Sequence, residues 1–318
     1  MGARATDKAA QPDRALARHQ TPIISHVHAQ GESRMTPSTP FSLDGRTALI
    51  TGSTKGIGRA IAAAFAAAGA RVWLHGRDQE AGERLAGELG ARFVAADLAE
   101  ADGPSALAQQ VLEAEDRLDI LVNNAGTATI QPLERLNLPE IDRTWQLNLR
   151  APVQLTSALL PLLREAAHVG KDASVINISS IHETVPAPGN VPYAMTKAAL
   201  AMYTKGAAVE WGRFGVRVNT LAPGAVKTNM MDEYNIGEEH FAKVARRTPL
   251  GRMGEVTDIT GPALFLASAA SCYVTGTTVT ADGGSSLNLV RYGDEWVLPG
   301  TGEAPSQPVA VDDIAGND

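Results

Sequence analysis

The chain has 318 residues and a mass of 33.4 kDa, with 44% hydrophobic residues and a mean hydropathy of −0.09. That composition suits a soluble globular protein with one large α/β domain or two small ones. A net charge of −7 and a pI of about 5.6 remove the electrostatic case for a nucleic-acid or anionic-membrane partner. The longest apolar stretch, residues 60–70, is far short of the roughly 20 residues a membrane span needs. The single cysteine, Cys272, allows no internal disulfide and fits a reducing, cytoplasmic compartment.

In chain order, residues 1–42 come first. They are polar, carry Pro12, Pro22, Pro37 and Pro40, and lack the apolar core of a signal peptide, so they read as a disordered leader. From 43 to 286 short apolar runs alternate with longer helical stretches. The runs are 47–50, 72–74, 93–95, 120–122, 175–178, 216–219 and 277–280. Runs without polar alternation read as strands buried on both faces, and their alternation with helices predicts a parallel sheet covered on both sides. Right-handed crossovers then make the expected fold a single α/β domain, a doubly wound parallel sheet of seven strands. Residues 287–318 form a polar, proline-containing extension without an assignable role.

The first strand runs into Thr51-Gly52-Ser53-Thr54-Lys55-Gly56-Ile57-Gly58, after which a helix is expected. Glycines there let the backbone turn tightly and approach a pyrophosphate, whose charge suits a helix N-terminus. The spacing G-x-x-x-G-x-G departs from the general dinucleotide fingerprint. The second strand ends at Leu74-His75-Gly76-Arg77, with a cation where an NAD-selective site usually has a carboxylate. Arg77, with Lys55, can accept a 2′-phosphate, so NADP(H) is the expected preference and NAD(H) is possible. Asp97 and Leu98 follow the third strand, and Asn123, Asn124, Ala125 and Gly126 follow the fourth. Carboxyl ends of strands are where ligands bind in open α/β sheets. Asp97 is read as an acceptor for the adenine amine.

TGSTKGIG, NNAG, Asn148, Ser180, Tyr193-Ala194-Met195-Thr196-Lys197 and Pro223-Gly224, in this order over residues 43–286, resemble the short-chain dehydrogenase/reductase family in its compact single-domain form. The resemblance implies a Rossmann-type fold. It also implies hydride exchange between a nicotinamide cofactor and an alcohol/carbonyl pair, either a secondary alcohol and ketone or a sugar lactol and lactone. Tyr193 is then the acid/base, Ser180 steadies the reacting oxygen, Lys197 holds the nicotinamide ribose, and Asn148 supports a water-linked relay to the lysine. Pro223, Gly224, Val226 and Thr228 would fix the carboxamide. Tyr193 and Lys197 are four apart and share a helix face. A free tyrosine titrates near 10, and a neighbouring ammonium is expected to lower that by about two or three units.

The family resemblance also implies a homotetramer and a mobile cover over the substrate at residues 229–250. His182 and Glu183, in Ile181-His182-Glu183-Thr184, resemble the same loop of bacterial sugar dehydrogenases such as glucose 1-dehydrogenase. They either bind a hydroxylated substrate or form a plain polar loop. Bacterial 3-oxoacyl-[acyl-carrier-protein] reductases are the other similar group. An epimerase or dehydratase using the same Tyr/Lys pair, and a non-catalytic dinucleotide sensor, remain as alternative classes. No residue cluster has convincing metal-ligand spacing.

Overall fold

The computed structural model describes residues 2, 40–128, 130–170, 172–228 and 238–287. All but Gly2 belong to one compact unit. Most of the leader, the C-terminal extension after Leu287, and Met230, Met231 and Tyr234 of the expected cover lie outside the described residues.

Each of the seven runs is a strand: β1 (Thr47–Ile50), β2 (Arg71–Gly76), β3 (Arg92–Ala95), β4 (Ile120–Asn123), β5 (Ala173–Ile178), β6 (Val216–Pro223) and β7 (Thr278–Ala281). They form one sheet in the order β3-β2-β1-β4-β5-β6-β7. Every pairing is parallel. The helices are α1 (Gly56–Ala67), α2 (Gln79–Leu89), α3 (Gly103–Ala114), α4 (Leu138–Trp145), α5 (Ala151–Gly170), α6 (Val191–Trp211), α7 (Glu238–Arg247) and α8 (Thr260–Ala267).

The central strands are apolar at most positions because each must fill two cores. Leu49, Leu121, Val175 and Val218 stand in register and pack with Leu107 and Val111 of α3, Leu155 and Leu159 of α5 and Ala207 of α6. The intervening Ile50, Val122 and Ile176 point the other way, into a core with Ile61 and Phe65 of α1 and Ala263 and Leu266 of α8. This period-two division is what a strand buried on both faces requires. After β3 the chain returns to the other side of β1 to make β4. The carboxyl ends of β1 and β4 therefore flank a topological switch point, where a crevice opens.

Candidate active site

The glycine loop and the Asn-Asn-Ala-Gly segment meet at this switch point. The Thr51 hydroxyl accepts from the backbone N–H of Asn124 at 2.9 Å and of Ala125 at 3.0 Å. The Asn124 amide donates to the carbonyls of Thr51 at 2.9 Å and Gly52 at 3.0 Å. The crowding explains two of the glycines. Gly52 has φ +61°, and a Cβ there would lie 2.9 Å from Ala125 Cα. A Cβ on Gly58 would collide with the Asn124 amide and the Gly52 carbonyl.

The start of α1 fits a dinucleotide pyrophosphate. Its N-cap, Lys55, offers no side-chain acceptor, and its first turn has no acid. By contrast, Asp78 caps α2 by accepting from Ala81 N–H at 3.0 Å. The first N–H groups of a helix have no partner within it, so at α1 they and the macrodipole favour an anion. Gly56 opens this helix and Ile57 is half-buried behind it. Thr228 returns to the same spot, with its Cβ 3.9 Å from where a Cβ on Gly56 would stand. A cavity of about 520 Å³ opens beside α1, lined in part by Gly56, Arg59, Lys227, Thr228 and Phe241.

Not every residue expected at the cofactor presents its side chain there. Ser53 is fully buried, and its hydroxyl accepts from His75 N–H at 2.9 Å. Thr54 lies across Gly76, which leaves no room for a side chain at 76. Leu98 is buried in the core under α3. Val226 bridges to Gly254 and packs into the core under α1. At both positions only the backbone remains to face the crevice, because an apolar side chain following a strand end gains more by burial. Asn123 spans β4, β5 and α5, donating to Asn177 Oδ1 at 2.8 Å and Thr156 Oγ1 at 3.0 Å. Pro223 ends β6, and Gly224 packs so close to Asp282 that a Cβ would lie 2.7 Å from the Asp282 Cβ.

After β3, Asp97 Oδ1 accepts from Ala99 N–H at 2.9 Å. Its Oδ2 is 4.0 Å from Arg77 and 3.8 Å from Arg143. Arg77 is largely exposed at the crevice rim.

The expected catalytic residues converge from three elements. Asn148 lies in a π-helical turn (Gln146–Arg150) joining α4 to α5. Its side chain accepts from Thr127 N–H at 2.9 Å and donates to Thr127 O at 2.8 Å and Thr196 Oγ1 at 3.2 Å. The wide turn is a local departure of the kind found at functional sites. Ser180 follows β5 and accepts from His182 N–H at 3.2 Å. Its side chain also faces the Tyr193 phenol and favours the phenolate. Tyr193 and Lys197 project from the first turns of α6, with Lys197 Nζ 5.5 Å from the phenol ring centre. Nζ donates to Ile178 O at 2.9 Å. Gly126 separates the two polar groups: a Cβ there would stand 3.2 Å from Asn148 Oδ1 and 3.7 Å from Lys197 Nζ.

The ionisation of the pair corrects the sequence-based expectation. Burial pushes the Tyr193 phenol up, to about 12, and Ser180 only partly opposes this. Lys197 is pushed down to about 8, again by burial, with Glu183 opposing. Desolvation penalises whichever form is charged, and here it outweighs the opposing effects of Ser180 on the phenol and Glu183 on the ammonium.

The loop after Ser180 divides its roles. His182 Nδ1–H donates to Val185 O at 2.8 Å, and the ring stands edge-on to Tyr193 with centroids 6.2 Å apart. Glu183 turns away to β7, where Oε1 accepts from Thr278 Oγ1 at 2.9 Å and Oε2 is buried without a hydrogen-bond partner. One residue outside the expected set enters the site from below: His75 of β2, whose ring touches both the glycine loop and the end of β3. Its only sequence signal is a titratable residue directly after the apolar run Val72-Trp73-Leu74.

Residues 52–286 match a family model described as enoyl-(acyl carrier protein) reductase. Gluconate 5-dehydrogenase of Gluconobacter oxydans (strain 621H) is 35% identical over 258 residues, covering 78% of this chain and 98% of that protein. Among solved structures, gluconate 5-dehydrogenase from Burkholderia cenocepacia in complex with NADP and tartrate superposes with a TM-score of 0.73. It is 34% identical and covers 79% of this chain and 98% of its own. The Pseudomonas aeruginosa RhlG/NADP active-site complex gives 0.74 at 35% identity, covering 79% and 100%. Among the described residues, no helix is long and apolar enough to cross a membrane.

Proposed function

The chain belongs to the short-chain dehydrogenase/reductase family, and from that premise we propose which of its residues perform alcohol/ketone oxidoreduction, and on what. Its activity is the dinucleotide-dependent interconversion of a secondary alcohol and a ketone. One observation carries the assignment of roles: Ser180, at the end of β5, stands close enough to the Tyr193 phenol to act on its ionisation, and Lys197 Nζ lies 5.5 Å from the phenol ring centre. Two hydroxyls meeting at one point suit an oxygen that gains or loses a proton, as in C=O and CH–OH chemistry, better than a carbon–carbon double bond.

The bound dinucleotide would supply the hydride in reduction and accept it in oxidation. Residues 52–58, with Arg77, Asp97, residues 124–126 and Thr228, hold it across the switch point. In reduction Tyr193 donates its phenolic proton to the substrate oxygen, while Ser180 donates a hydrogen bond to that oxygen and stabilises its developing charge. Lys197 holds positive charge beside the phenolate formed and favours it. Asn148 fixes the Thr127 backbone in the loop after β4 and the α6 face next to Lys197. In oxidation the same proton moves back.

The cofactor reading is NADP(H) in preference to NAD(H). It rests on Arg77 at the crevice rim, the glycine at 76 and the NADP complexes of the related structures. Replacing Arg77 with Asp removes a charge-assisted contact to the 2′-phosphate and adds a repulsion. The kcat/KM ratio of NADPH to NADH should fall by roughly 10–100-fold. A ratio unchanged in steady-state assays sinks this part.

The substrate reading is a hydroxylated sugar acid or polyol, following the gluconate 5-dehydrogenase relatives. The exposed edge of His182, held beside Tyr193, is the group of this chain that would meet a substrate hydroxyl. A panel of sugar acids, polyols, ketones and 3-oxoacyl thioesters, followed by nicotinamide absorbance with NADPH and NADP, tests it. Turnover of the first two classes is expected. Turnover restricted to acyl thioesters would replace the substrate class, and product isomerisation without net cofactor conversion would move the enzyme to the epimerase class.

The protein is further read as a cytoplasmic homotetramer. Cys272 is its one cysteine. The outer face of α6 exposes Met195, Met202 and Val209, seven residues apart, an apolar stripe suited to cover by a second copy. Light scattering that returns the mass of a single chain would remove the tetramer.

A further inference from the structure

His75 takes no part in the proton chemistry above, yet it is the point where three segments of the dinucleotide crevice are tied together. It is the penultimate residue of β2 and only 3% exposed. Nδ1 lies 3.1 Å from Gly52 N in the glycine loop. Nε2 lies 3.2 Å from Ala96 O, between β3 and Asp97. Its backbone completes the clamp, donating to Ser53 Oγ at 2.9 Å and accepting from Ser53 N–H at 2.9 Å.

The partners dictate the state of the ring. A backbone N–H can only donate, and a carbonyl can only accept, so Nδ1 must be bare and Nε2 must carry the proton. The ring is therefore a neutral spacer of one defined tautomer between the loop that receives the pyrophosphate and the strand end that receives the adenosine. A proton on Nδ1 would face the Gly52 N–H, donor against donor, in a buried site where neither finds water. Asp97 acts on the ring as a charged group and favours the cation, but burial outweighs it and holds the imidazole down at about 4.

We propose that His75 is a positioning residue for the dinucleotide: its bare Nδ1 fixes Gly52 and its Nε2–H fixes Ala96, so that cofactor affinity depends on this tautomer and weakens when the ring is protonated. The proposal rests on the cofactor reading given above.

Two substitutions separate the halves of the clamp. His75→Asn keeps a polar atom where Nδ1 stands and cannot reach Ala96. His75→Gln reaches the Nε2 position and offers nothing at Nδ1. NADPH titrated by calorimetry should bind the Gln variant about tenfold more weakly than wild type, the loss of one buried hydrogen bond. The Asn variant should stay within about threefold of wild type, because it keeps the acceptor for Gly52 in the loop that receives the pyrophosphate charge and gives up only the Ala96 bond at the strand end. In assays KM for NADPH follows these changes, while kcat at saturating cofactor moves much less. Equal affinity of both variants with wild type, or an equal fall in affinity and kcat in both, would overturn the proposal, since a ring that only fills space does not distinguish the two amides.

Should a variant fail to fold, the wild type decides by itself. Nitrogen NMR of the ring should show the Nε2–H tautomer, with a titration midpoint that drops further on adding NADPH. The other tautomer, or a midpoint insensitive to NADPH, would overturn it. If wild type binds neither NADPH nor NADH, the cofactor reading falls and takes this proposal with it. If wild type binds and the Gln variant binds equally well, only the His75 proposal falls.

Discussion

Tyr193→Phe should lower turnover by roughly 10²–10⁴-fold, the range that positioned acid–base catalysis contributes, with NADPH binding retained. The change removes one oxygen and keeps the ring, which packs edge-on to His182 and beside Lys197 Nζ. The folded protein should lose no more than about 1 kcal/mol, the worth of one hydrogen-bonding hydroxyl, because the ring and its packing stay in place. Steady-state rates with the best substrate of the panel, alongside calorimetric titration of NADPH, check both halves. Turnover within tenfold of wild type would transfer the proton to another group.

The direction of the shift at this phenol makes a second statement. Held up at about 12, Tyr193 is protonated throughout the neutral range and is ready to act as an acid in reduction. Oxidation needs the phenolate, so its rate should climb with pH where that of reduction does not.

Lys197→Met should cost a comparable factor and, unlike the tyrosine change, should also raise KM for the cofactor. Methionine keeps the stem in its buried slot and deletes the charge that favours the phenolate. In the wild type that charge titrates at about 8, because burial disfavours the ammonium. Reduction should therefore lose rate as pH rises past about 8, and the Met variant should lack that break. Stability moves the opposite way. A lysine whose folded value lies below its ordinary 10.5 binds fewer protons folded than unfolded between about 8 and 10.5, so the wild type gains stability as pH rises through that window. Below it the buried ammonium is a cost, and the Met variant should melt no lower than wild type at neutral pH. A reduction profile flat through pH 8, or a Met variant with normal turnover, would remove Lys197 from the mechanism. The cost is of the kind enzymes carry at sites where function and stability conflict.

Parts of this site could be read from spacing because local geometry dictates them. Tyr193 and Lys197 share a face since four residues make about one helical turn. Gly52 and Gly58 stand where a backbone turn at positive φ and a close strand–helix approach admit no Cβ. Other parts could not be read this way. Leu98 and Val226 follow strand ends as cofactor residues do, but their side chains turn into the two cores. Asn148 sits in a π turn that no periodicity announces. Glu183, next to His182 in sequence, points to β7 instead of the reacting oxygen.

By itself, then, the amino-acid order determined the seven strands, their alternation with helices, the tight glycine turn after β1 and the shared helix face of Tyr193 and Lys197. Each follows from steric rules acting over a few neighbours and from how apolar runs must be covered. Only the tertiary structure decided which strand-end side chains face the crevice, that His75 clamps Gly52 to Ala96, and that Tyr193 is driven up instead of down. Those outcomes turn on a balance between desolvation and attraction, and that balance is set by atoms brought together from distant parts of the chain.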